Sequence, residues 1–499
     1  MKKILMTFVA VLAMAAVGAK AQDTVISYTY QGQTLYYIID STNNAMLVAP
    51  MYPDVHADTT RIESWWGYAK PQGAVVIPDS VPFGGSYHAV TSTAPHALKY
   101  CDSITALTLP STLRVIGQQS FQGCTRLPSV VIPGGVVDLG IGSFYHCTGL
   151  QSVTLPESIR DIPLACFSGD SALAAVNLPT GLSVISADAF RECASLASVN
   201  LPESLTAIRN GAFMGCNSLA SVSIPGSVGT ISDWAFGQCG NLRHVQLGEG
   251  VDTIATCAFS DCYKLETINY PSTLQVIDSF AFQLDSMLRT PLILPEGFKM
   301  LGTEAFTLNV SLTTAYLPST LKEVGGWAFW SCTSLADVTL CEGITKIKRA
   351  AFDHCMSLHK LILPSTIDTI CDYVFNEETQ LDTLVFRSSV PPVIGMDVFP
   401  DYHTVLIVPC GAAQAYRQHV VWGLFQNIVE ICTGIEEPAA SDGIRIYAEG
   451  GRIVVTGAAN ETVLIYDVAG RSVRNEALPS GIYLVRVGNR QAMKIAMNQ

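Results

Sequence analysis

A 23-residue repeat is the feature of this chain that most restricts its fold. The repeat is clearest from Phe190 to Phe213, where it reads F-x-x-C-x-S-L-x-x-V-x-L-P-x-x-L-x-x-I-x-x-x-A. Phenylalanine recurs in the same register, with two steps of 24 among twelve, at positions 121, 144, 167, 190, 213, 236, 259, 282, 306, 329, 352, 375 and 399. One such unit cannot bury its apolar side alone and must stack on its neighbours. The period therefore predicts a solenoid.

Each repeat contains one segment with the period of a β-strand. Between Leu196 and Pro202, apolar residues alternate with polar ones, and the proline ends the strand because it has no backbone N–H. Leu205, Ile208 and the Ala212-Phe213 pair then point inward. Stacked strands lie about 4.8 Å apart, so thirteen or fourteen coils predict a rod of roughly 65 Å with one parallel sheet along it.

The repeat closely resembles the BspA-like class of bacterial leucine-rich repeats. The consensus of that class combines L-x-x-V-x-L-P, a following L-x-x-I and A-F-x-x-C, and the likeness covers residues 90–409. It implies a leucine-rich-repeat solenoid and adhesion to host matrix or to neighbouring bacteria. The sequence departs from the consensus at Gly248, Cys341 and Arg387 in place of Pro, at Pro291 inside the ninth strand, and at Val374 in place of Ala.

The segments outside the repeat indicate secretion and two caps. Residues 1–21 combine Lys2 and Lys3, an apolar run and the site Ala19-Lys20-Ala21, which predicts a signal peptide cleaved near Ala21. We expect an N-terminal β cap over 22–88, repeats over 89–409, a C-terminal cap over 410–432 and a linker over 433–442. No apolar run reaches about 18 residues, so we expect no membrane span.

Aromatic residues are concentrated in both caps. Trp65, Trp66 and Tyr68 in the N-terminal cap either line a ligand groove or plug the end of the solenoid, and plugs are commoner. In the C-terminal cap, three aromatics are expected to cover the open end, namely Tyr416, Trp422 and Phe425. An uncovered terminal coil would expose its apolar face.

Residues 443–499 alternate as short strands between glycine-rich breaks and predict a small β-sandwich. This segment resembles the C-terminal sorting domain of the type IX secretion system. The likeness is carried by Tyr466-Asp467-Val468-x-Gly470-Arg471, by Leu478-x-x-Gly481-Ile482-Tyr483-Leu484-Val485 and by Lys494-Ile495. It implies passage across an outer membrane, followed by removal of the domain and surface attachment or release.

The 15 cysteines are arranged mainly as a ladder. Nine of them share one repeat position, namely Cys101, Cys124, Cys147, Cys193, Cys216, Cys239, Cys262, Cys332 and Cys355. Other copies carry Asp170, Asp285, Asn309 or Glu378 there, which favours a compact polar group bonded to buried backbone over a disulfide. Cys410 and Cys432 bracket the C-terminal cap and are the candidate disulfide, with free thiols as the alternative.

No motif of catalysis or cofactor binding is present. His146 and His354 each precede a ladder cysteine, which suggests a Cys–His nucleophile, but other copies have Gly215, Gln238 or Asp261 there, so an outward turn position is favoured. The chain has neither H-E-x-x-H, nor C-x-x-C, nor a phosphate-binding glycine loop. We expect no enzyme, no cofactor and no metal. The net charge of -13, without a basic stripe, argues against nucleic acid.

Binding is the function that this sequence favours. The outward strand positions predict a polar group in the middle copies and an apolar row in later ones, namely Arg243, His244, Gln246, Glu266, Thr267 and Asn269, then Ile293, Tyr316 and Ile362. An exposed apolar row of this length hints at a protein partner, although the same residues simply suit strands.

We therefore expect a secreted, monomeric protein on the outer cell surface that binds host or bacterial surface proteins through its sheet face. Glycan capture for nutrient uptake is one alternative. A passive structural spacer is another.

Overall fold

Every repeat folds into one coil because its apolar residues fall on one side of two short extended segments. The first segment, such as Ser221–Ile224, alternates exposed and buried side chains, and the second, such as Thr230–Ile231, buries its isoleucine. The structure is a computed structural model that describes residues 24–50, 65–377, 380–431, 445–449, 452–456, 462–467, 473–475, 481–487 and 493–497. The predicted signal peptide, the linker and Glu378 lie outside these ranges. The coils form a parallel β-solenoid of about 15 turns, so the predicted fold class is confirmed.

The N-terminal cap contributes strands to two sheets that continue into the solenoid. Its strands are β1 (Ile26–Tyr30), β2 (Gln33–Ile39), β3 (Ala45–Val48), β4 (Gly73–Val76), β5 (Ser80–Phe83) and β6 (Ser86–Thr93). One sheet contains β1, β2, β3, β5 and β6, and the other pairs β4 with the first coil. Strands β1 to β3 are antiparallel neighbours, and β3 then pairs with β6 in parallel. The cap therefore presents a ready edge on which the first coils stack.

Each coil then supplies one odd-numbered and one even-numbered strand. The first coils contain β7 (Ile104–Thr108), β8 (Val115–Ile116), β9 (Ser129–Val131), β10 (Asp138–Leu139), β11 (Ser152–Thr154), β12 (Asp161–Ile162), β13 (Ala175–Asn177), β14 (Val184–Ile185), β15 (Ser198–Val199) and β16 (Ala207–Ile208). The middle coils contain β17 (Ser221–Ile224), a 3-10 turn (Gly226–Val228), β18 (Thr230–Ile231), β19 (His244–Leu247), β20 (Thr253–Ile254), β21 (Thr267–Ile268), β22 (Val276–Ile277), β23 (Leu292–Ile293) and β24 (Met300–Leu301). The last coils contain β25 (Thr314–Leu317), β26 (Glu323–Val324), β27 (Asp337–Leu340), β28 (Lys346–Ile347), β29 (Lys360–Leu363), β30 (Thr369–Ile370), β31 (Thr383–Phe386) and β32 (Val393–Ile394).

These strands build two parallel ladders on different sides of the coil. The odd strands form sheets β9 to β15, β17 to β21 and β23 to β33, whereas the even strands form sheets β12 to β24 and β26 to β32. The first ladder is the sheet that the sequence predicts. The second ladder was not predicted, because strands of two residues are too short for alternation to be visible.

A stack of phenylalanines fills the interior. The thirteen rings of the repeat lie nearly parallel, with neighbouring centroids 5.1–6.0 Å apart and planes inclined by 4–20°. Offset stacking at this separation is favourable for aromatic rings. Since every ring between Phe121 and Phe399 contacts the rings of both neighbouring coils, the core is continuous along the solenoid.

The C-terminal end is closed by aromatic side chains, as predicted. The cap contains β33 (Val405–Pro409), α1 (Ala413–Gln418), a 3-10 turn (Trp422–Leu424) and β34 (Asn427–Ile431). Trp422 is buried, donates its indole N–H to the carbonyl of Pro392 at 2.9 Å, and packs against Phe399. Cys410 is disulfide-bonded. Its predicted partner, Cys432, lies outside the described residues, so that pairing stays a prediction.

The terminal module consists of antiparallel strands with a core of its own. Its strands are β35 (Arg445–Glu449), β36 (Arg452–Thr456), β37 (Val463–Asp467), β38 (Gly481–Val487) and β39 (Met493–Met497). Strands β35 and β36 form one sheet and β37 to β39 another. The alternating pattern also predicts a strand at Val473–Arg474, but residues 473–475 do not form one; Val473 donates its N–H to the carbonyl of Ile465 at 2.8 Å.

Candidate binding surface

Five outward side chains of β19, β21 and their preceding residues form what we call the polar patch: Arg243, His244, Gln246, Glu266 and Thr267. Arg243 donates to Glu266 across the two coils at 2.7 Å. His244 Nδ1 lies 2.9 Å from the hydroxyl of Thr267, its direct partner in the ladder. All five are exposed or half-buried, so the structure brings the predicted polar residues together on one face.

Asn269, the sixth predicted polar residue, bonds to the backbone and is not free for a partner. Its Oδ1 accepts the N–H of Leu247 at 2.7 Å, and its Nδ2 donates to the carbonyl of Leu247 at 2.8 Å. Strand β21 ends at Ile268, whereas β19 continues through Leu247. The Asn269 side chain therefore replaces ladder bonds that a longer β21 would provide.

The shortness of β21 follows from a proline in the next coil. Pro291 occupies a strand position but has no N–H to donate, and the odd ladder is interrupted between β21 and β23. Ile268 donates its N–H to the side-chain hydroxyl of Thr290 at 3.3 Å instead of to a backbone carbonyl. The irregularity expected at Pro291 is confirmed, and it separates the polar patch from the later coils.

The expected exposed apolar row is wrong at its first two members. Ile293 and Tyr316 point outward from the sheet, yet they are only 3% and 6% exposed. Ile362, the third member, is half-buried. A second layer therefore covers this part of the face.

The terminal module provides that layer. Tyr466 of β37 packs on the Ile293–Tyr316 pair. Arg486 of β38 pairs with Asp337 of β27, Nε to Oδ2, at 3.9 Å. Burial raises the pKa of the Asp337 carboxyl to about 6, and the Arg486 guanidinium opposes that rise.

Asp337, Tyr466 and Arg486 were missed by the sequence reasoning. The alternation of side chains along the module's strands could have indicated them. Tyr466 and Arg486 fall on the face of β37 and β38 that does not form the module's core. A large aromatic and a cation on the outer side of a small sandwich are candidates for a contact.

The ladder cysteines are buried free thiols, as predicted. Eight of them donate Sγ–H to a main-chain carbonyl of an earlier coil, at 3.1–3.5 Å. Burial raises the pKa of the Cys239 and Cys332 thiols to about 12. Because the thiolate is the reactive form, these thiols are poor nucleophiles.

Buried carboxyls replace the thiol in two coils. Oδ1 of Asp170 accepts the N–H of Cys147 at 2.7 Å, and Oδ1 of Asp285 accepts that of Cys262 at 2.9 Å. Burial raises the pKa of both carboxyls well above the usual range, against the opposing effect of these hydrogen bonds. The compact polar group expected from the substitutions is confirmed.

The histidines beside the cysteine ladder occupy outward turns. His146 and His354 have φ of 56° and 59°, the left-handed conformation that recurs at this position of the repeat. His354 lies 3.3 Å from Asp353 and 3.5 Å from Glu377, while the thiol of Cys355 donates inward to Phe329. The neighbouring thiol thus points away from the turn, and this geometry does not form a Cys–His pair.

The aromatics of the N-terminal cap have divided roles. Trp65 is buried and donates its indole N–H to the carbonyl of Ala97 at 3.0 Å, so it is a plug. Trp66 is 74% exposed and Tyr68 is also exposed.

A cavity of about 450 Å³ lies beside the C-terminal cap, between Asp372, Met396, Phe399 and Tyr402. Oδ1 of Asp372 accepts the N–H of Met396 at 2.8 Å, so this oxygen is engaged in a hydrogen bond to the backbone. Within the described ranges, no cluster of three or more metal-ligating side chains occurs. Nor do those ranges contain a helix long and apolar enough to cross a membrane.

Comparison with known proteins identifies the repeat. The family profile for the BspA type leucine rich repeat region matches residues 91–220, 206–336 and 299–405, in six copies. No curated protein sequence matches the chain.

Three similar solved structures are bacterial proteins. A leucine-rich repeat protein from Bacteroides ovatus is 21% identical, with 83% of this chain and 100% of that chain covered, at a TM-score of 0.48. A leucine rich cell surface protein from Faecalibacterium prausnitzii is 20% identical, with 83% and 97% covered, at 0.38. The pneumococcal vaccine antigen PcpA is 14% identical, with 82% and 99% covered, at 0.39.

Proposed function

The chain belongs to the family of BspA-type leucine-rich repeat proteins, and on that premise we propose that it is an exported surface protein that binds other proteins through its sheet face. The observation that supports this most is the polar patch. Its Arg243–Glu266 and His244–Thr267 contacts hold exposed side chains in place before a partner arrives. Preorganised groups lose less conformational entropy on binding.

The shape of the surrounding face favours a macromolecular partner. Strands β9 to β21 present small polar side chains such as Ser152, Asn177 and Ser221 over roughly 30 Å, given the spacing of stacked strands. A standard protein interface buries about 800 Å² on each partner. A long row with charged and hydroxyl groups provides such an area, and host or bacterial surface proteins are the proposed partners.

Export is the second part of the proposal. The predicted signal peptide and the likeness of residues 443–499 to type IX sorting domains support secretion to the outer cell surface. The terminal module would direct the final step, and the solenoid would be the part displayed.

Glycan capture is the second candidate function, and the N-terminal cap favours it. Trp66 and Tyr68 expose neighbouring aromatic side chains of the kind that mark interaction sites.

Screening the full chain on arrays of host proteins and of glycans tests the proposal. Protein binding that is lost on substitution of the polar patch supports the first function, and glycan binding lost with Trp66→Ala supports the second. Binding to neither array would contradict both and favour a spacer.

A further inference from the structure

Burial of outward side chains is confined to a few adjacent coils of the sheet face. Thr314 and Asp337 lie in the same row as His244 and Lys360, and Tyr316 lies in the neighbouring row. His244 and Lys360 are exposed, whereas Asp337 is 5% exposed. The covered coils therefore form a bounded site, defined here as the covered patch: Ile293, Thr314, Tyr316 and Asp337.

The module presents matching side chains from one side of its sheet. In the pairing of β37 with β38, Leu464 lies opposite Arg486 and Tyr466 opposite Leu484, so Tyr466 and Arg486 share a face. The opposite face carries the module's own core, namely Ile465, Tyr483, Val485 and Val487. Tyr466 and Arg486 therefore lie on the face of β37 and β38 that is turned away from the module's core.

The two surfaces are complementary in chemistry. The ring of Tyr466 packs on the pair Ile293 and Tyr316. Beside it, the guanidinium of Arg486 pairs with the buried carboxylate of Asp337. Between them lies a cavity of about 110 Å³, lined in part by Arg289, Pro291 and Thr313. The contact is therefore made by a few specific side chains and is not tightly packed throughout.

We propose that the covered patch is a docking site for the chain's own terminal module, so that the full chain closes the part of its sheet face next to the polar patch. A partner that spans both patches must displace the module. Removal of the module would expose an apolar and acidic surface on β23, β25 and β27. This functional consequence rests on the proposed role of the sheet face, whereas the docking itself does not.

Two half-buried cysteines allow a direct test in the full chain. The thiol of Cys341 donates to the hydroxyl of Tyr316 at 3.1 Å, and Cys341 packs at the covered patch with Tyr466. Cys371 follows β30 on the other ladder and is the internal control. Alkylation by iodoacetamide is followed at both residues by peptide mass spectrometry.

We expect Tyr466→Ala and Arg486→Ala each to speed alkylation of Cys341 several-fold and to leave Cys371 unchanged. Asp337→Arg should do the same, and combining it with Arg486→Asp should restore slow labelling. Unchanged labelling of Cys341, or an equal rise at Cys371, would overturn the proposal.

Dilution of the protein distinguishes docking of the chain's own module from docking of the module of a second copy. Docking within one chain predicts a Cys341 rate that is independent of protein concentration. Faster labelling on dilution would assign the contact to another molecule and overturn the proposal. Because no partner takes part, these results are independent of the binding arrays.

Discussion

The side-chain amide of Asn269 forms two hydrogen bonds with the backbone of Leu247, accepting its N–H at 2.7 Å and donating to its carbonyl at 2.8 Å. This pairing joins the coils of β19 and β21, directly before the main-chain ladder is interrupted at Pro291 in the next coil. A residue that appears from its repeat position to be a ligand contact is in this case part of the scaffold.

We predict that Asn269→Ala destabilises the solenoid by about 1–3 kcal/mol, because it leaves buried backbone groups of Leu247 without partners. Chemical denaturation measures the loss. Asn200→Ala is the matched control, since Asn200 occupies the same repeat position and is exposed. Equal effects of the two substitutions would contradict the structural role of Asn269.

The buried carboxyls Asp170 and Asp285 should make stability depend on pH. Their folded-state pKa is raised, so the folded protein holds protons that the unfolded chain releases above about pH 3.9. Their contribution is fully present below that pH and is lost as the pH rises, by up to about 1.4 kcal/mol per pH unit for each carboxyl.

Asn309 already fills this ladder position with an amide that donates to Phe282 at 2.6 Å. We therefore expect Asp170→Asn and Asp285→Asn to raise the melting temperature at pH 7. Both should also reduce the dependence of the free energy of unfolding on pH between pH 4 and 7, a range in which the buried thiols stay protonated. A pH dependence as steep as that of the unmodified protein would refute the buried acids as its cause.

The phenylalanine stack should dominate the stability of each coil. Phe236 lies 5.2 Å from Phe213 and 5.6 Å from Phe259, so Phe236→Ala opens a gap between two coils. We expect a loss of about 3–5 kcal/mol in the free energy of unfolding, as for large core truncations. Tyr263→Ala, at an exposed side chain, is the control. A loss no larger than that of the control would show that the stack is dispensable.

Deletion of residues 443–499 should leave the protein in the periplasm of a cell that has the type IX machinery. The solenoid's apolar core does not include the module's core, so the truncated chain should still fold. Fractionation locates the protein, and resistance to protease verifies folding. Normal surface display of a folded truncation would contradict the sorting role.

The repeat made much of the fold predictable, because the same position in each copy has the same structural surroundings. Asp170 and Asn309 in place of cysteine revealed that the ladder position bonds to backbone, and both side chains do so. The aromatic closure by Trp422 was predictable because an open end cannot stay uncovered.

Features that depend on contacts between distant segments were not predictable in this way. The burial of Tyr316 depends on Tyr466, which lies in another module and is not part of any repeat. The structural use of Asn269 depends on how far β21 extends, which is decided by a proline one coil later. Repeat position alone therefore locates the binding face but does not show which of its residues are available.

The most direct test of the account is attachment of the full protein to host or bacterial surface proteins after combined Arg243→Ala, His244→Ala and Gln246→Ala substitution. These side chains are exposed and lie outside the core, so the melting temperature should be unchanged. Arg126→Ala with Glu203→Ala, at exposed turn residues outside the strands of the sheet face, is the control. The triple variant should lose attachment while the control keeps it; full attachment of the triple variant would contradict binding through the polar patch.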